Sequence, residues 1–228
     1  MKKIHVMLFF LIPVVGLAQD CGNFYFFQSN KTVEMSLLTR KGNPNGKQVY
    51  TVSNVQTTPA GTTSTVNSEN FNSDGKSTNK AVNNMTCAGG MMMMDMRMQM
   101  SGEEQKKYGE ASAKVDKVYI EYPGTMKVGD NLKDAAMHMD MTINNAPTTV
   151  DMTIFERKVE ANEKITTPAG DYNCFKITFR TKSVVKTMIG TMGIPVTVKV
   201  DVSEWFSPGF GIVKSESKYG SSILNSVK

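Results

Sequence analysis

The stretch VTVKVDVS, residues 196–203, sets valine at every even position, with Thr197, Lys199, Asp201 and Ser203 between them. A helix would spread those valines around its axis, whereas a strand sends alternate side chains to opposite faces. One apolar and one polar face is the signature of a half-buried antiparallel strand. The same beat recurs upstream. Val33, Met35 and Leu37 oppose Thr32, Glu34 and Ser36, and Phe175, Ile177 and Phe179 oppose Lys176, Thr178 and Arg180. Turn signals separate such segments at short intervals: GNPNG at 42–46, TPAG at 58–61, NSDG at 72–75, GG at 89–90, PG at 123–124. They continue as VGD at 128–130, NNAP at 144–147, TPAG at 167–170 and SPGFG at 207–211. Strand-forming runs punctuated this often predict an all-β antiparallel sheet. The exception is SGEEQKKYG, residues 101–109, where Ser101 and Glu104 form a capping box and Gly109 a stop, so one short helix is expected there.

Methionine gives the chain its own character: 18 residues of 228. In MMMMDMRMQM, residues 91–100, Met92, Met94, Met96, Met98 and Met100 are even, while Asp95, Arg97 and Gln99 are odd. In MHMDMTI, Met137, Met139, Met141 and Ile143 share one parity, and His138, Asp140 and Thr142 the other. Three readings follow. These side chains are ordinary core written in an unusual letter. They are thioether donors for copper(I), the soft metal that such ligands select. Or they line an apolar trough, since methionine is flexible and suits varied apolar partners. The trough is the expectation, with Met92, Met94, Met96, Met98, Met137, Met139 and Met141 as the residues that would meet an acyl chain or apolar peptide. A periplasmic copper(I) protein and a structural envelope protein without a ligand are the alternatives.

Residues 1–18 read as a secretory signal peptide: Lys2 and Lys3, an apolar Val6 to Leu17, then Gly16 and Ala18 before a cut at Gln19. The apolar run is too short to span a bilayer, which takes about 20 residues. Residues 19–228 then form one domain, periplasmic or extracellular, with no further spanning segment. Lipid anchoring at Cys21 is the weaker option, because Asp20 is a poor neighbour for it. Removing the two N-terminal lysines takes the formal charge from +5 to +3, with no basic block. A phosphate-backbone binder needs a concentrated basic face, so nucleic acid is excluded as partner.

Three cysteines in an oxidising compartment allow one bridge. Cys21–Cys87 is the expected pair, because it would tie a fraying N-terminus to the sheet, with Cys174 left as a small buried hydrophobe. Three unpaired thiols is the competing reading. His138 is the one histidine beyond the signal peptide, so neither a Ser-His-Asp arrangement nor a His-rich metal cluster is expected. GFGIVK leads into strand formers and cradles no phosphate. No catalytic set, resident metal or cofactor is therefore expected, and Trp205 reads as a core anchor.

EKITTPAGDYNCFKITF followed by VSEWFSPGFGIVKSESK resembles the secreted bacterial family labelled TapB, itself related to larger domains of unknown function. The positions that carry the resemblance are Thr167 to Gly170, Tyr172, Cys174, Lys176 and Ile177, then Trp205, Phe206, Gly211, Ile212, Val213, Lys214 and Glu216. YPGTMKVGDNL at 122–132, and Cys21 with Phe24, also fit. The resemblance implies a strongly curved antiparallel sheet, a half-barrel like that of the periplasmic lipoprotein carriers, and no established activity. This chain departs from it in placing methionine where relatives carry aromatic and branched residues.

Overall fold

The computed structural model describes residues 21–96, 119–143, 146–190 and 192–228. Twelve strands make a single antiparallel sheet: β1 (Thr32–Leu38), β2 (Pro44–Thr58), β3 (Gly61–Phe71), β4 (Ser77–Ala88), β5 (Met91–Asp95), β6 (Tyr119–Tyr122), β7 (Ala135–Ile143), β8 (Ala146–Thr167), β9 (Gly170–Ile189), β10 (Met192–Ser207), β11 (Gly211–Ser217) and β12 (Gly220–Val227). Complete 3-10 turns lie at Cys21–Asn23 and Tyr25–Phe27. The helix expected at 101–109 lies outside the described residues.

Hairpin connections follow the turn signals closely. The ladder runs β6-β5-β4-β3-β2-β1-β12-β11-β10-β9-β8-β7. Every pair adjacent in sequence is adjacent in the sheet except β6 and β7, and the first and last strands pair instead, from Val33↔Val227 to Leu38↔Ser221. The sheet is thus nearly closed into a barrel, with its seam between β6 and β7. Polar and aromatic contacts span the seam. Lys133 ahead of β7 meets Glu121 of β6 at 2.6 Å, and the Arg157 guanidinium of β8 lies 5.1 Å from the Tyr122 ring centroid.

The barrel interior follows from strand alternation. Val33, Met35, Val52, Val66, Met85, Met92, Ile120, Tyr122, Met137, Ile154, Ile177, Phe206 and Leu224 form one continuous buried cluster. One end of it is filled by the N-terminal segment. Phe24, Tyr25, Phe26 and Phe27 are all buried, and the Tyr25 ring packs 5.0 Å from Phe210. Gly211 makes room for this plug, since a Cβ there would run into the Tyr25 ring at a φ of +134°. The Cys21–Cys87 disulfide pins the plug to β4, and Cys174 is free and buried, as the cysteine reading expects.

Candidate functional site

Methionines line the inner wall on both sides of the seam. Met92 and Met94 of β5, Met96 just beyond it, and Met137 and Met139 of β7 are all buried. Most of their neighbours in sequence follow the alternation, with Met91, Met93 and His138 half-buried, but Asp95, expected on the opposite face, is buried beside them. Met98 lies outside the described residues. Met141 belongs to β7, in register with Thr148. The five described side chains therefore form a covered wall, and the exposed part of that wall lies elsewhere.

It lies across the sheet from β7. Paired residues on neighbouring antiparallel strands share a face. Met139 pairs with Val150, Val150 with Val185, and Val185 with Val196. In the next row Met137 pairs with Met152, Met152 with Ser183, and Ser183 with Val198. Burial fades along each row, from buried at β7, through half-buried Val150, Met152 and Val185, to exposed Val196 and Val198. The cause is geometric: β11 pairs with β10 only as far as Val202↔Ser217, so the earlier half of β10 has β9 on one side alone.

A second feature of the interior is polar. The Tyr122 hydroxyl donates to Glu204 Oε2 at 2.7 Å, and its ring stacks on Phe206 at 5.1 Å. Arg157 Nη1 donates to the Lys133 carbonyl at 2.8 Å, while its buried Nε and Nη2 find no acceptor among the described residues. Burial pushes the Glu204 carboxyl above the ordinary range, against the pull of the Tyr122 hydrogen bond and the Arg157 charge. Burial, reinforced by Glu204, raises the Tyr122 and Tyr50 hydroxyls too. Arg157 reaches this place through a bulge between Phe155 and Lys158, where Glu156 adopts a left-handed φ of 54°. The extra residue shifts the alternation and turns Arg157 inward.

The remaining candidates sit outside. His138 Nδ1 is 2.6 Å from Asp151 Oδ1, an exposed contact whose hydrogen bond raises the imidazole pKa. Trp205 is buried on the outer face, its Nε1 donating to Glu163 Oε2 at 2.7 Å and its ring roofed by Lys214 at 4.4 Å. Burial, with help from Glu163, pushes the Cys174 thiol up to about 11, so it is no thiolate nucleophile at neutral pH. Among the described residues no group of three or more His, Cys, Asp or Glu side chains could hold a metal ion. None of their helices is long and apolar enough to cross a membrane.

The described chain is thus a plugged, twelve-stranded antiparallel sheet, joined through its first and last strands and nearly closed into a barrel. The chain belongs to the DUF3108-like family, whose model matches residues 28–227. Two solved structures share the fold. One is a provisionally assigned lipoprotein from Parabacteroides distasonis, 22% identical, with a TM-score of 0.67 over 92% of this chain and 100% of that one. The other is a provisionally assigned exported protein with a YmcC-like fold from Bacteroides fragilis, 21% identical, with a TM-score of 0.63 over 88% of this chain and 96% of that one. No curated protein matches the chain. The TapB label suggested by the TPAG and WF…GIVK segments is not confirmed by this match.

Proposed function

We propose that the protein is an exported, non-enzymatic β-barrel that holds an apolar chain against its methionine-bearing face. The supporting observation is the row Met139–Val150–Val185–Val196, which runs from the covered wall to open surface without a polar interruption. An acyl chain or apolar peptide laid along that row exchanges water for aliphatic side chains, at about 25 cal/mol per Å² of apolar surface covered. Met92, Met94, Met96, Met137 and Met139 back the row, and Val150, Met152 and Val185 make the contact. Export is supported by the signal-like residues 1–18 and by the exported and lipoprotein assignments of the two structural relatives.

Titration with a fluorescent fatty acid tests the reading. Saturable one-to-one uptake is expected, weakened at least tenfold by Val150→Asn with Val185→Asn, and unaffected by His138→Ala on the opposite face. Absence of saturable uptake refutes it, and stoichiometric copper(I) binding in its place would turn the methionine wall into a metal site.

A further inference from the structure

The β9–β10 end of the sheet has a property that ligand holding does not need. Residues 192–201 of β10 extend beyond the reach of β11, and their apolar side chains are open to solvent. Met192 is 68% exposed, Ile194 48%, Val196 58% and Val198 39%. Half of the eight large hydrophobic side chains exposed among the described residues thus fall within seven positions of one strand. Scattered exposed apolar residues need no explanation, but a contiguous patch marks an interaction surface.

Charge around the patch is one-sided. From Tyr172 to Val200 the chain carries Lys176, Arg180, Lys182, Lys186 and Lys199 and not one acidic residue. Two of these cations are engaged: Lys176 lies over Trp205, and Arg180 pairs with Glu156 and Asp201. Lys182, Lys186 and Lys199 form no ion pair among the described residues. Lys182 and Lys199 are moreover direct cross-strand partners, a like-charge juxtaposition that costs stability unless an anion lies near. The acids on the same outer face, Asp140 and Asp151, sit on β7 and β8 and are taken by His138.

A second strand is a poor fit for this edge. Pro195 stands in its middle with no N–H to give, and proline in sheets sits with that side turned to the free edge. The Lys199 carbonyl already accepts from Lys218 Nζ at 2.9 Å. A partner without strand geometry, apolar inside and anionic at its surface, meets both halves of the site.

We propose that the β9–β10 end is a membrane-docking surface for a bilayer that contains anionic lipid. Met192, Ile194 and Val196, on the inner face of the projecting end, seat at the headgroup–acyl boundary, and Lys182, Lys186 and Lys199, on the opposite face, reach lipid phosphates as the cationic side of an amphipathic interfacial element does. Such surfaces bind through apolar burial together with attraction to anionic lipid, and each lysine near the surface strengthens partition about fivefold. The proposal stands whether or not the methionine wall holds a ligand.

Vesicle flotation of the signal-free protein tests it, with phosphatidylcholine alone and with phosphatidylcholine containing about one-third phosphatidylglycerol. The wild type is expected to float with the anionic vesicles and to release them as salt rises. Met192→Asp with Ile194→Asp, at exposed positions outside the Met139–Val196 row, should cut partition at least tenfold. Lys182→Ala and Lys186→Ala should each cut it by about fivefold, with far-ultraviolet circular dichroism unchanged. Failure of the wild type to float overturns the proposal, as does flotation indifferent to Ile194→Asp. A dimer that Ile194→Asp dissociates, in the absence of vesicle binding, would reassign the patch to contact between copies of the chain.

Discussion

Removing the Cys21 sulfur by Cys21→Ala should unseat the N-terminal plug. Cys21 and Cys87 are 66 residues apart, and the chain-entropy model assigns a loop of that length about 4 kcal/mol at 25 °C. The plug itself is closely balanced. Burying Phe24, Tyr25, Phe26 and Phe27 contributes roughly 1.5–3 kcal/mol each, while ordering each backbone residue of the segment costs about 1–2 kcal/mol. Those two sums nearly cancel over eight residues, so the covalent tether decides whether the aromatic rings stay in the barrel. At roughly 2–4 °C per kcal/mol for a chain of this size, the variant should melt about 8–16 °C below the oxidised wild type. Hydrogen exchange should localise the loss, because the Tyr25 amide is held by the Phe210 carbonyl at 3.0 Å and the Phe27 amide by the Phe24 carbonyl at 2.9 Å. Both amides should lose protection ahead of β9 and β10. A variant that melts within about 2 °C of wild type with both amides still protected would refute the reasoning.

Met92→Ala should cost about 2–5 kcal/mol in chemical unfolding because it empties a filled interior position, while half-buried Met91→Ala next door should cost far less; equal losses would contradict the assigned parity. Glu204→Gln should have an effect that depends on pH. Burial holds the folded carboxyl above the ordinary carboxylate range, so the folded state binds more protons than the unfolded one, and stability falls as pH rises from that range through the folded pKa. The glutamine variant should therefore gain on wild type at pH 7 and lose that advantage near pH 4, as thermal melts across that range would read.

The parts of the fold that sequence reasoning reached are those with a period. Met92 and Met94 against Met91 and Met93, and Met137 and Met139 against His138, sort as an alternating strand must. What alternation cannot supply is cover. Val196 and Val198 read as a core face and do lie on the apolar side, yet they are exposed because β11 ends too early to wall them in. Aperiodic features were invisible for a different reason. Four consecutive buried residues in NFYFF carry no strand or helix beat, because a 3-10 turn inside the barrel buries them in every direction. Arg157 sits in ERKVE, which looks like an outward polar strand. Only the bulge at Glu156 brings it inside, and a bulge that uses glutamate in place of glycine leaves no mark in the sequence. The Tyr122–Glu204 contact joins positions 82 residues apart, beyond the reach of any local pattern.

The pairing of β1 with β12 has a consequence for how the molecule comes into being. Thr32 and Lys228 exchange both backbone hydrogen bonds at 2.9 Å, so the two halves of the sheet are joined by residues far apart in the chain. A chain made N-terminus first presents β1 with a bare edge until Gly220–Val227 arrives. Contacts of such sequence separation form slowly, and unpaired edges invite aggregation meanwhile. Joining of the two halves of the sheet therefore waits for the last strand, and any truncation that removes β12 should leave a species fit for proteolysis rather than a smaller barrel.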